Sequence, residues 1–444
     1  MRTPIALEAR SEAPGQACAG SIAARPVPPA PPSEPSAALP RSTSPGSPAS
    51  QRVLQAIGAW QRELASIRQA LHANPELGFE EHFTSELVCR QLQRAGVDEI
   101  HRNIGRTGVV GVIRGRQTRS SRTVGLRADM DALPMQEDGE HAHRSRKAGV
   151  MHGCGHDGHV TMLVGAARYL AASRDFDGTV HLIFQPGEEG HGGAKAMIDD
   201  GLFERFPCDA VYAMHNWPAL PPGTIGVRPG PIMAAADRVT IAIEGRGGHG
   251  AHPYLTVDPV LVAAHIVTAA QSIVSRNVSP IDSAVVSLCS IQAGHPGAMS
   301  VIPHEAKLVG TVRTFRESTQ AMVEQRLRAL VESVAAGFGA KASLVYERVY
   351  PATINSTREA LFGAAVADEL VGAANVVRDL DPSMGAEDFS FMLRVRPGAY
   401  FRLGQGGAAE GCLLHSSRYD FNDAVLPVGA ALFVRLAEQS MPLA

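Results

Sequence analysis

Apolar and polar positions along the chain repeat with two periods, and the changes between them mark out its elements. From residue 52, RVLQAIGAWQRELASIRQALHANPE carries apolar residues at helical spacing and stops at Pro75. Short runs of β character follow in RTGVVGVIRG and RTVGLRAD. Then come the helical DGHVTMLVGAARYLAAS, the strand-like GTVHLIF, a helix around GGAKAMIDDGL and the strand-like CDAVYAMH. Strands alternating with helices predict an α/β layer on a largely parallel sheet.

Residues 236–347 read as a separate unit. DRVTIAIEG, DPVLVAAHIVTAAQSIV, SAVVSLCSIQAG, HEAKLVGTVRTF, TQAMVEQRLRALVESVAAGF and KASLVYERV give the order β-α-β-β-α-β, the ferredoxin-like pattern. The αβ texture then returns, with helices expected near 357–371, near 386–395 and from about 424. A smaller domain at 236–347 is therefore expected inside a larger one made of 52–235 and 348–444. Residues 1–50 are rich in Pro, Ala and Ser, which predicts a disordered tail. A weak transit peptide or an overlong start are other readings of it; it lacks the compact apolar block of a secretory signal.

Composition narrows the function classes. At 444 residues the chain can hold two or three domains. A net charge of −3 gives no electrostatic case for nucleic acid or an anionic membrane. No apolar run approaches the ~18–20 residues of a bilayer-spanning helix. The six cysteines are scattered without paired spacing, so a disulfide framework is not expected and a reducing, cytoplasmic compartment is.

The candidate chemistry is densest in MHGCGHDGHV, residues 151–160. Asp157 is a good N-cap for a helix with Val160, Leu163, Val164, Ala167 and Leu170 on one face, which leaves Cys154 and His156 in the loop entering it. A thiolate beside an imidazole is a strong metal pair, and the glycines let the backbone approach a small ion. More donors stand where predicted strands end: Glu188 and Glu189 after GTVHLIF, His215 after AVYAM, and Asp129 and Asp131 after RTVGLR. Sites in α/β sheets form at the carboxyl ends of strands, so these segments can converge on one cleft. Taken singly, each His or acid reads as an ordinary surface or core residue.

HGCGHDGH, RADMDALP, FQPGEEG, MHNWP, GGHGAHP, GTVRTF, GAEDF and LHSSRYDF occur in this order over about residues 52–440, and together they resemble the M20-type metallopeptidases. The branch they are most similar to is that of hippurate hydrolases, N-acyl-amino-acid amidohydrolases and auxin-conjugate hydrolases. The resemblance implies a catalytic domain carrying an inserted lid and dimerisation domain, and two divalent ions held by Cys154, His156, Glu189, His215 and His415. It makes Glu188 the general base and Asp131 a supporting acid beside the metal site, with Asp129 a further such acid in a D-x-D where other branches have H-x-D. His249 of GRGGHGAHP matches a histidine that stabilises the oxyanion, often in the neighbouring subunit; His252 is expected to be structural. Arg313 is a candidate clamp for a substrate carboxylate, and Glu387, with Asp388, a candidate wall of the substrate pocket. Ser300 stands before Val-Ile-Pro where the family often has Asn, which puts a substrate contact there in doubt.

The implied reaction is hydrolysis of an N-acyl or N-aroyl amino acid, a small molecule, by a homodimer that binds neither nucleic acid nor membrane. Manganese or zinc would serve, and cobalt or nickel fit the same donors. A dipeptide-cleaving exopeptidase of the same fold, or a metal-binding module without catalysis, are the alternatives; the second would predict erosion at the base or ligands, and none is visible. Gly245-Arg-Gly247-Gly-His-Gly250 satisfies G-x-G-x-x-G, yet Pro253 interrupts the helix a dinucleotide site requires, and no acid lies between Asp258 and Asp282. PHEAK lacks the second His of a zincin, and no G-x-S-x-G elbow occurs.

Overall fold

The computed structural model describes residues 46–443. Four parallel strands form the centre of its larger, eight-stranded sheet, in the order Thr179–Gln185, Thr123–Asp129, Ala210–Trp217 and Gly398–Gly404. Gly108–Arg114 and Glu99–Ile104 extend it antiparallel on one side. On the other, Ile225–Gly226 pairs antiparallel with Gly398–Gly404 and parallel with the edge strand Val376–Val377. The central strands are near-continuous apolar runs because helices cover both faces.

On one face, helices Gln61–His72, His82–Ala95, His156–Ser173, Thr357–Val371 and Leu426–Ser440 share a core with the sheet. On the other, Gly193–Asp199, Leu202–Arg205 and Ser390–Val395 do the same. Helix His156–Ser173 is buried nearly all round, so its first turn opens in the interior at the strand ends rather than at the surface.

A second sheet runs in the order Ala284–Ala293, Glu305–Thr314, Ala235–Glu244 and Lys341–Tyr350, with every pair antiparallel. Its strands alternate buried and exposed positions, and helices Pro259–Ser272 and Glu317–Gly337 pack on the buried side. These six elements follow in the order β-α-β-β-α-β.

Three local expectations are corrected. Residues 1–45 of the expected tail lie outside the described residues, but residues 48–50 already form the first turn of helix Pro48–Gly58. Ser47 caps it by accepting the Ser50 N–H, and Pro48 supplies the fixed φ of a first helical position. The helical pattern from residue 52 is two helices, because the chain turns at Ala59 and Trp60 before Gln61–His72. Finally, the helical stretch Pro259–Asn277 is long and apolar enough to cross a membrane by length and composition. Its Val262, Ala263, Ile266 and Ala270 instead pack into the core of the second sheet.

Candidate metal centre

The stretch 151–160 enters the interior on glycines for a steric reason. Gly155 occupies the N-cap position of helix His156–Ser173 at φ +96°, and a Cβ there would lie 2.4 Å from Asn216 Oδ1 and 2.5 Å from the Tyr419 hydroxyl. Asp157 is therefore not the cap: it stands inside the first turn. One of its oxygens accepts the Gly158 N–H at 3.0 Å and the other lies 2.8 Å from His72 Nδ1. An acid in the first turn still suits the helix dipole.

Cys154 lies at the junction of two groups of donors. Its Sγ is 3.2 Å from His215 Nε2, and Cys154, His156 and His215 offer one donor atom each within 4.8 Å of one another. Cys154, Glu189 and His415 form a second such group, with His415 Nε2 3.2 Å from Glu189 Oε1. All five residues expected from the motifs are thus brought together, and Cys154 belongs to both triads.

The ring tautomers suit ligation. His156 Nδ1 lies 2.8 Å from the Asp131 carbonyl and His215 Nδ1 2.7 Å from that of Asn216, so each ring donates there and presents its Nε2 to the other donors. His156 Nε2 is buried with no hydrogen-bond partner, and the buried Glu189 Oε1 has only the His415 ring beside it at 3.2 Å, a costly state that a cation relieves. Burial and the neighbouring Glu189 and Glu188 push the Cys154 thiol well above its ordinary pKa. Burial also drives His215 well below its own, which keeps it neutral as a ligand must be. Burial opposes charge on His156, but Asp129 and Asp131 outweigh it and raise its pKa to about 10. The pocket is rich in negative charge and fits two divalent ions of borderline character.

The acids divide by what they touch. Asp131 accepts the Glu188 N–H at 3.0 Å and the Glu189 N–H at 2.9 Å, so it fixes the loop after strand Thr179–Gln185. Asp129 binds Arg127 at 2.7 Å and His159 Nδ1 at 2.5 Å. Glu188 is buried, accepts the Asp388 N–H at 3.3 Å on Oε1, and is held well above the ordinary carboxylate pKa by burial and by Glu387, Glu189, Asp388 and Asp131. Glu387 lines the cleft, but both its oxygens are engaged: Oε1 by Arg127 at 2.9 Å and Phe389 N–H at 3.0 Å, Oε2 by the Tyr400 hydroxyl at 2.8 Å.

The cleft over these residues has a volume of about 590 Å³ and lies between the two sheets. Trp217, Met233 and Leu414 supply apolar wall, while Arg238 and Arg313 approach from the second sheet. Arg313 makes no ion pair within 4 Å among the described residues, and burial lowers its pKa. His249 is exposed on the short strand Gly248–His249 and is not among the residues lining this cleft of its own chain. The motifs gave no role to Arg127, which is fully buried and ties Asp129, Glu387, Asp388 and Gln185 together. Its signal was a lone arginine inside the apolar run TVGLRAD.

The family model for Peptidase family M20/M25/M40 matches residues 125–439. Hippurate hydrolase of Campylobacter jejuni is 42% identical over 377 residues, covering 85% of this chain and 96% of that one. Thermostable carboxypeptidase 2 of Saccharolobus solfataricus is 38% identical over 384 residues, covering 84% and 94%. Among solved structures, the Bacillus subtilis YXEP protein, described as a dinuclear metal binding peptidase from the M20 family, superimposes with a TM-score of 0.75 at 33% identity, covering 86% of this chain and 99% of that one.

Proposed function

This chain belongs to peptidase family M20/M25/M40 and is a metal-dependent amidohydrolase, and from that premise we propose that it cleaves N-acyl or N-aroyl amino acids to a carboxylate and a free amino acid. The observation that carries the reading is the position of Cys154 in two donor triads with the Glu188 carboxylate beside them. His156 and His215 with Cys154, and Glu189 and His415 with Cys154, would hold two divalent ions, zinc or manganese, with cobalt or nickel also suited. Ions bound there supply Lewis acidity, polarising the scissile carbonyl and lowering the pKa of a water.

The rest falls to the chain's own residues. Glu188 takes a proton from the attacking water as its oxygen bonds to the carbonyl carbon, then gives that proton to the amine as the C–N bond breaks. Glu188 Oε1 is set in place by the Asp388 N–H at 3.3 Å. Asp131, through the Glu188 N–H, holds the base in register. Arg313, unpaired and half-buried, would clamp the substrate carboxylate, with the acyl group against Trp217, Met233 and Leu414. Glu387, bound by Arg127 and Tyr400, would act as a rigid wall.

His249 would serve the cleft of a neighbouring copy by stabilising the oxyanion, which makes the working form a homodimer. The exposed Tyr254, Leu255, Met299 and Val301 near it support a covered surface. In this reading the smaller unit, 236–347, is the lid and dimerisation domain inserted between 52–235 and 348–444. The cysteines, unpaired at the five described positions, support a cytoplasmic setting. The similarity to a carboxypeptidase favours a second reading, cleavage of plain peptides.

One assay separates the two. Chelator-stripped protein, alone and after adding back Mn, Zn, Co or Ni, is offered N-acetyl, N-benzoyl and indoleacetyl amino acids with plain dipeptides alongside. Metal-dependent release of amino acid from one acyl class is expected, and cleavage of dipeptides alone would select the second reading.

A further inference from the structure

A second group of metal-type donors lies outside the two triads. His72 ends helix Gln61–His72, and Glu137 and His141 sit in the long loop between Asp131 and Met151. His72 Nε2 is 3.2 Å from Glu137 Oε1, and His141 Nε2 is 2.6 Å from that same oxygen. The three donor atoms fall within 4.8 Å of one another. Two imidazole nitrogens thus converge on one carboxylate oxygen.

The surroundings are shaped to hold positive charge. His141 Nε2 is shielded from solvent and has no partner of hydrogen-bond geometry, although its ring reaches the surface at one edge. His72 is held at both nitrogens, by Asp157 at 2.8 Å on Nδ1 and by Glu137 at 3.2 Å on Nε2, so a metal on Nε2 would take the place of the hydrogen shared with Glu137 while Asp157 keeps the ring oriented. This carboxylate–histidine arrangement is the usual support of a ligating imidazole. Glu137 is fixed through its other oxygen, which accepts the Ser145 N–H at 2.6 Å. Charge points the same way: Asp157, Asp420 and Asp423 all meet the Arg68 guanidinium, and Glu137 adds a fourth carboxylate without an arginine of its own. Donors around a tetrahedral zinc-class ion stand roughly 3.3 Å apart, given ligand bonds of about 2.0 Å, close to the 3.2 Å of His72 and Glu137, with His141 moving outward from its 2.6 Å.

We propose that the chain binds a further divalent cation of the zinc class on His72 Nε2, Glu137 Oε1 and His141 Nε2. The ion displaces the hydrogen that otherwise lies between His72 and Glu137. It ties the Asp131–Met151 loop to helix Gln61–His72, next to the segment that carries Cys154 and His156. His143, stacked on His141 with ring centroids 4.3 Å apart, forms a competing group with His141 and Asp420, but its Nε2 already meets both Asp420 oxygens at 3.1 Å and lies 3.2 Å from the Arg68 guanidinium, so it is left out of the donor set.

The test compares the full-length chain with its His141→Ala and His143→Ala variants. Each is saturated with Zn(II), desalted and analysed for ions per chain by mass spectrometry; the Co(II) forms are recorded by absorption. His141→Ala should bind one ion fewer than wild type while keeping the thiolate-to-cobalt band that reports Cys154, and His143→Ala should keep the full count. The comparison is a difference, so it stands whatever the total at Cys154 proves to be. Equal counts in His141→Ala and wild type, loss of the ion in His143→Ala, or loss of the cobalt–thiolate band together with the ion would each overturn the assignment.

Discussion

Asp131 holds Glu188 by its backbone, with Oδ1 accepting the Glu188 N–H at 3.0 Å while Oδ2 takes the next N–H, of Glu189, at 2.9 Å. One buried carboxylate therefore orients both the proposed base and a proposed ligand without touching either side chain. Asp131→Asn keeps the size but turns one acceptor into a donor that faces an N–H. The Glu188–Glu189 turn should shift, and kcat should fall about 10- to 100-fold, the range for groups that orient metal-site residues. KM should move much less. Steady-state kinetics on the best acyl substrate give the answer, and a variant changed in KM alone would contradict the positioning role.

Glu188→Gln removes the proton acceptor and preserves shape. Turnover should drop by about a hundred- to ten-thousand-fold, the contribution of positioned acid–base groups, with metal content unchanged. Parallel measurement of metal per chain and kcat decides it. Loss of metal along with rate would make Glu188 a ligand instead.

What the sequence disclosed and what it hid follow from the range of the interactions. AADRVTIAIE alternates because one face of the second sheet is buried and the other is not, so that strand was readable from its own ten residues. The five donors were legible through the family's motifs: Glu189 follows a strand, His215 stands near the end of one, Cys154 and His156 stand at a helix start, and His415 lies in LHSSRYDF. Arg127 was not, because its partners Glu387 and Asp388 lie some 260 residues away in sequence, and only the folded chain makes an arginine in TVGLRAD a satisfied core residue. The cap was misassigned for a similar reason. Asp157 has the composition of an N-cap, but the contact of Gly155 with Asn216 and Tyr419 sets the helix start, and His72 takes the carboxylate.

Cys154→Ser tests the shared vertex. A hydroxyl does not ionise as a thiol does and is a poorer ligand for zinc-class ions. Since Cys154 belongs to both triads, affinity for both ions should weaken together, by roughly tenfold or more. Equilibrium dialysis against a range of free Zn(II) resolves the two sites. Selective loss of one ion, with the other bound at wild-type strength, would assign Cys154 to a single triad.

The last prediction concerns pH and lies away from the metal centre. His181, on strand Thr179–Gln185, is 5% exposed, packed against Phe206, with Cys208 Sγ at 3.5 Å from its Nδ1. Burial pushes its pKa from 6.5 down to about 4. In the unfolded chain the ring takes a proton near pH 6.5, whereas the folded chain refuses it until near pH 4. Between those values the unfolded state holds more protons, so stability falls as pH drops from 6.5 to 4 and this contribution levels off below. The whole effect is roughly 3.5 kcal/mol at most, from about 1.4 kcal/mol per pKa unit. His181→Leu removes the titration and keeps the site apolar, so its thermal midpoint should gain on wild type steadily as pH falls through that window. A difference between the two proteins that stays constant from pH 7 to pH 4 would mean that His181 accepts a proton in the folded state as readily as in the unfolded chain.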